Sequence, residues 1–364
     1  MKRSPLGRSS VVAIVASFAL IAGTPAPAIA ELDPEPAEAA AGWLAGELTG
    51  GLMSTAYDGT DYPDYGLTAD TWFALDAADA HTATRQAIVG ALEQNVGSYI
   101  GNGSTEQYAG STAKLLVLAE QADAGPRNFG GVNLVRRLRS LIASGGADEG
   151  RVTDVSEYGD YANTIGQAFA VTGLARIGSP SKAAAEFLLK QQCGKGYFRL
   201  TDGDVATNPK LTCSGGKAAD DSDPDVDVTA YALKALLTAQ QAGTTGVGSA
   251  ITDARRWLLS KQRSGGAFGG VGPTSGANSN STGLAGDALA AAGRGGAADD
   301  AAAWLVKRQV TDPAGTELAG EKGAVAYDQA AYEAGEADGI TDVTTDQWRR
   351  ATAQATLGLT HLRR

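Results

Sequence analysis

Histidine, methionine and cysteine are nearly absent from this chain of 364 residues, with two of each. His81, His361, Cys193 and Cys213 are too few, and too irregularly spaced, for a zinc site. No metal is expected. Aromatic residues make up only 6% of the chain. With 48 glycines, that composition describes many short helices joined by glycine turns and excludes a sheet protein. Positive charge is also in short supply. The formal charge is −11, which argues against binding to nucleic acid or to an anionic membrane surface. The glycine-rich stretch "SGGAFGGVGPTSGANSN" has no G-K-[ST], so it is not a phosphate-binding loop. No G-x-S-x-G stands before a suitable Asp and His, which leaves nucleophilic hydrolysis without support.

Only one apolar run stands out, Val11–Ala22, and it is too short to span a bilayer. It follows Lys2, Arg3 and Arg8 and ends at Ala28-Ile29-Ala30. A basic start, a short apolar centre and an A-x-A end predict a signal peptide over residues 1–30, cleaved after Ala30. The remainder then carries −14, because the first thirty residues hold three cations and no acid. The sequence therefore predicts a secreted, soluble protein with no membrane span. In that setting Cys193 and Cys213 are expected to form a disulfide.

The chain repeats itself. A leucine within a helical pattern recurs as Leu44, Leu92, Leu141, Leu188, Leu258 and Leu305, at intervals of 48, 49, 47, 70 and 47 residues. The long interval holds both cysteines, so the fourth repeat carries an insertion that a disulfide would staple. Each unit has a second half, in which polar residues lead into a helix rich in Ala and Leu. Examples are "DVDVTAYALKALL" (225–237) and "NSNSTGLAGDALA" (278–290). These second helices are apolar on most sides and must be buried. The first helices, such as "DARRWLLSKQ", have one apolar stripe and belong outside. Six helical hairpins of this kind predict an all-α (α/α)6 toroid, an inner helix barrel inside an outer one, over residues 31–364.

At the ends of two outer helices, "QQCGKGYF" and "KQRSGGAF" place Gln192, Gly196, Phe198 and Gln262, Gly266, Phe268 in a Q-x-x-x-G-x-F pattern, and "ELTGGLM" is a degenerate copy. These resemble the QW-type repeats of the terpenoid cyclase and protein prenyltransferase superfamily, with Phe for Trp. The resemblance implies the toroid fold. That fold also serves the cobalamin carriers, so a cobalamin-like ligand is what the resemblance first implies as cofactor. Class II cyclases use D-x-D-D-T-A. Here "DVDVTA" matches at Asp225, Asp227, Thr229 and Ala230 but has Val228 in place of the last acid. The zinc-binding pattern of the prenyltransferases is missing.

Three readings of the site stay open. The first is non-catalytic. The starts of the inner helices converge on one mouth and offer Asp70, Thr71, Ser111, Asn163, Gln167, Asp227, Thr229, Asn280, Thr282 and Asp346, a polar funnel suited to a sizeable polar ligand. The second is a cyclase with Asp227 as acid. The third is a carbohydrate-active enzyme in which Asp70, Asp227 and Asp346 face one another. The sequence leans to the first. It expects Asp227 to cap its helix and to stay ionised beside backbone N–H groups. The acids of the insertion, Asp202, Asp204, Asp220, Asp221, Asp223 and Asp225, lack the spacing of a calcium loop and read as a solvated acidic segment.

Overall fold

Six helices built mainly from Ala, Leu, Gly and Thr line the centre of the molecule. The computed structural model describes residues 31–201, 212–213, 223–311 and 314–364. The predicted signal peptide, and Asp202, Asp204, Asp220 and Asp221 of the insertion, lie outside the described residues. The inner helices are α2 (Tyr65–Ala77), α5 (Ala109–Gln121), α7 (Thr164–Arg176), α9 (Val226–Gln241), α11 (Ser279–Ala291) and α14 (Thr345–Leu359). Each packs on the next in that order, and α14 packs on α2. The ring is closed. The fold is the (α/α)6 toroid that the repeat predicts.

Outside stand α1 (Glu35–Gly46), α3 (Thr82–Gln94), α6 (Leu134–Ser140), α8 (Lys182–Lys190), α10 (Gly248–Lys261) and α12 (Gly295–Val306). Most of them pack against two neighbouring inner helices, as α8 does with α7 and α9. Their repeated leucines, Leu44, Leu92, Leu188, Leu258 and Leu305, are fully buried, and Leu141 nearly so. Small residues let the inner helices approach closely. At the tightest contact, between α11 and α14, a Cβ on Gly283 would fall 2.1 Å from the carbonyl oxygen of Gln354. No larger residue fits there.

Glutamines join the outer helices into a belt. Gln192, just after α8, donates from Nε2 to Gly196 O (3.1 Å) in its own turn and to Ala250 O (2.9 Å) in the first turn of α10. Gln262 does the same to Gly266 O and to Ala297 O of α12. Gln309 continues the belt to α1, bonding Gly323 O and Pro36 O. Between α6 and α8 the job falls to Gln167, from the inner helix α7, which donates to Gly150 O and Ala184 O. The turn glycine is required. Gly266 has φ +97°, and a Cβ there would meet Asp300 O at 1.9 Å.

Three elements depart from the simple repeat. A hairpin of β1 (Met53–Tyr57) and β2 (Thr60–Asp64) turns at Asp58-Gly59, both at positive φ. It is tied down by Arg349, which bonds Glu47 and Ser54 O at 2.8 Å each. Short helices α4 (Val96–Ile100) and α13 (Gln329–Asp338) fill loops. Cys193 and Cys213 form a disulfide with Cα atoms 4.7 Å apart, anchoring the inserted segment to the end of α8. Among the described residues no helix is long and apolar enough to cross a membrane.

Candidate active site

The lumen is ordered by one position per inner helix. On five of the six inner helices a polar side chain accepts a backbone N–H of the preceding loop. Thr68 takes Met53 N, Gln167 takes Val152 N, Thr229 takes Phe198 N, Thr282 takes Phe268 N and Thr352 takes Val325 N, all at 2.8–2.9 Å. Thr112 stands at the matching place on α5 and bonds Tyr108 O. Two residues further on, each helix points into the lumen with Asp70, Lys114, Phe169, Tyr231, Leu284 and Gln354. All six line a cavity of about 540 Å³. Five residues on come Phe73, Val117, Thr172, Lys234, Asp287 and Leu357, which line a second cavity of about 240 Å³ toward the opposite end of the barrel. The contacts of Phe169 with Phe73 (ring centroids 6.3 Å apart) and with Tyr231 (5.3 Å) form an aromatic wall shared by the two cavities.

Several expected site residues are therefore structural. Thr229, Thr282 and Gln167 are buried behind the lumen with their polar atoms engaged by backbone. Thr71 is buried too, and does not line the mouth cavity. Asn163 caps α7, accepting from Ile165 N and Gly166 N, and also lines the cavity. Ser111 and Asp70 line it as well. Asn280 is set back from it, with its Oδ1 buried and unpartnered. Asp346 is elsewhere. It is held by Arg350 (2.8 Å) and Thr55 (3.0 Å) at the hairpin, so it does not face Asp70 and Asp227 across the mouth.

Asp227 departs from the expectation most sharply. The cap of α9 is Asp225, whose Oδ1 accepts Asp227 N (2.8 Å) and Val228 N (3.2 Å). The helix start is thus already served. Asp227, two residues on in the first turn, lines the cavity with its Oδ1 buried and without a hydrogen-bond partner. Burial pushes its carboxyl up to about 6, and the neighbouring Asp225 adds to this while the Ser281 hydroxyl works the other way. A protonated acid at mildly acidic pH therefore stands where an ionised cap was expected.

The other groups of the mouth are paired. Lys114 Nζ lies 2.7 Å from Asp70 and 2.9 Å from Gly66 O. Burial opposes its charge, but Asp70 and Tyr99 outweigh burial and raise its pKa. Asp154 accepts Ala109 N (2.7 Å) at the start of α5, and burial raises its carboxyl as well. Burial holds Tyr231 neutral, and Asp70, Asp227 and Asp287 reinforce this. Sequence reasoning missed Lys114, Asp154, Phe169 and Tyr231. The threonine register finds all but Asp154, which comes from a loop.

No known protein family matches the sequence, and neither does any curated protein. Solved structures do match in fold. An unsaturated glucuronyl hydrolase specific for heparin superposes with a TM-score of 0.61 at 11% identity, over 90% of this chain and 96% of that one. A type II terpene cyclase from Scytonema gives 0.60 at 14%, over 90% and 97%. The α-1,6-mannanase of Salegentibacter gives 0.58 at 11%, over 90% and 98%. The chain shares the α/α-toroid fold with these enzymes. That finding corrects the expectation of a non-catalytic ligand carrier: several structures that share the whole ring are enzymes, and the cap of α9 is Asp225 rather than Asp227.

Proposed function

We propose that the protein is an exported enzyme that hydrolyses a glycan by acid–base catalysis at the mouth of the inner barrel. Asp227 is the general acid. One observation carries this reading: a buried carboxyl with an unpartnered oxygen faces a polar cavity and is held near 6. An acid of that strength keeps its proton at mildly acidic pH and suits donation to a glycosidic oxygen. The reaction balances simply. The C–O bond to the leaving sugar breaks as its oxygen takes the Asp227 proton, and water adds to the anomeric carbon. The proton lost by that water passes to Asp70, which lines the same cavity beside Tyr231. Two of the solved structures with this fold act on polysaccharides by name, and the Cys193–Cys213 disulfide supports export.

The cyclase alternative fares worse on magnitude. Protonating an alkene needs a far stronger acid than a carboxyl held at about 6. Val228 stands where a second aspartate would sharpen the acid. The test is release of reducing ends from a panel of polysaccharides. Asp227→Asn should lower turnover by about 10²–10⁴. A fully active Asp227→Asn variant would overturn the assignment.

A further inference from the structure

The charge of the mouth restricts what enters it. Among the described lining residues the carboxylates are Asp70, Asp154 and Asp227, and the cation is Lys114. Lys114 is already engaged by Asp70 and by the Gly66 carbonyl. Arg350, further round the ring, is tied to Asp64 and Asp346.

Converging helix starts ordinarily favour an anion. Here the protein's own oxygens occupy them. Asp64 accepts Leu67 N on α2, Asp154 accepts Ala109 N on α5 and Asp225 accepts two N–H groups on α9, while Asn163 and Asn278 cap α7 and α11. Three of these helix starts thus face acids that belong to the fold, and two are closed by neutral amides. At the rim, Tyr161 lines the cavity and is 74% exposed, and Tyr158 nearby is 72% exposed. Their faces suit the apolar faces of sugar rings.

We infer that the mouth selects a glycan without carboxylate or sulfate and favours an amino sugar beside Asp154. The inference rests on the glycan reading above. It runs opposite to the anionic substrate named for the heparin-specific structure of the same fold.

Calorimetric binding of chitosan, mannan and oligogalacturonide fragments tests it. The amino fragments should bind at least about tenfold more tightly than the uronates in low salt, and the gap should shrink as salt screens it. Asp154→Asn should narrow the gap. Uronates that bind as well as the amino fragments, or no binding by any of the three, would overturn the inference. Turnover separates the two proposals. Uronate cleavage that depends on Asp227 would leave the hydrolase standing and remove the selectivity. Tight amino-sugar binding with no cleavage would do the reverse.

Discussion

Gln309 closes the ring onto Pro36, 273 residues earlier in the chain, and donates to its carbonyl at 2.7 Å. The same side-chain nitrogen bonds Gly323 O. One amide thus joins the last outer helix to the first. Gln309→Ala leaves two carbonyls short of a donor at a closed seam, which should cost about 1–3 kcal/mol. Gln192→Ala should cost a similar amount at its own seam. Urea unfolding of both variants checks this, and a loss confined to one of them would show that the seams are not equivalent.

The threonine register predicts a separation of stability from catalysis. Thr229→Val removes the acceptor for Phe198 N and leaves a buried N–H unpaired. A loss of about 1–3 kcal/mol is expected, with turnover kept under conditions where the variant is folded. Denaturation and activity assays on one preparation compare the two.

Asp227 carries a pH signature. Its folded carboxyl sits near 6, above the ordinary value of 3.8. Between those values the folded state holds a proton that the unfolded state has lost. Stability from this group therefore falls as pH rises through the window, and the cost is fully present above 6. Asp227→Asn removes the cost, so at pH 7 the variant should be more stable than the wild type by about 1–3 kcal/mol. At pH 4 the gain should nearly vanish. A variant less stable than wild type at pH 7 would restore the capping role.

Asp287 behaves in the opposite sense. Burial alone would raise it, but Lys234 and His361 hold it down at about 2; the His361 contact is 3.0 Å. Its contribution is present above the ordinary carboxylate range and is lost as pH falls from about 4 toward 2. Asp287→Asn should lose stability at pH 7 and little at pH 2. Thermal melts across that range decide it.

Six leucines and the polar starts of the inner helices were enough to read the ring from the sequence, because both recur with the repeat and burial demands both. Asp70, Ser111, Asn163 and Asp227 were legible as mouth residues for the same reason. Their roles were not. The choice between Asp225 and Asp227 as cap turns on a two-residue offset along α9, and hydrophobic pattern does not resolve that. Asp346 has the right place on its helix, but a hairpin that interrupts the first repeat supplies Thr55 and Asp64 to draw its surroundings away. Asp154 and the rim tyrosines lie on a loop without periodicity. Gln167 read as a ligand residue because it lies in the polar start of its inner helix, and only the contacts to Gly150 and Ala184 reveal a seam.

The pairing of Leu32 with Arg363 and the bond from Gln309 to Pro36 leave the stack of hairpins without a free end. An open solenoid frays from its terminal units, and its stability grows with the number of units. A ring has no terminal unit to fray. Opening any one of its six seams exposes two apolar edges at once, so partial unfolding is no cheaper at residues 32–60 than at residues 226–260. Unfolding should be a single concerted transition despite the chain's length, and excising one hairpin should give an unclosed, aggregating arc rather than a smaller working barrel.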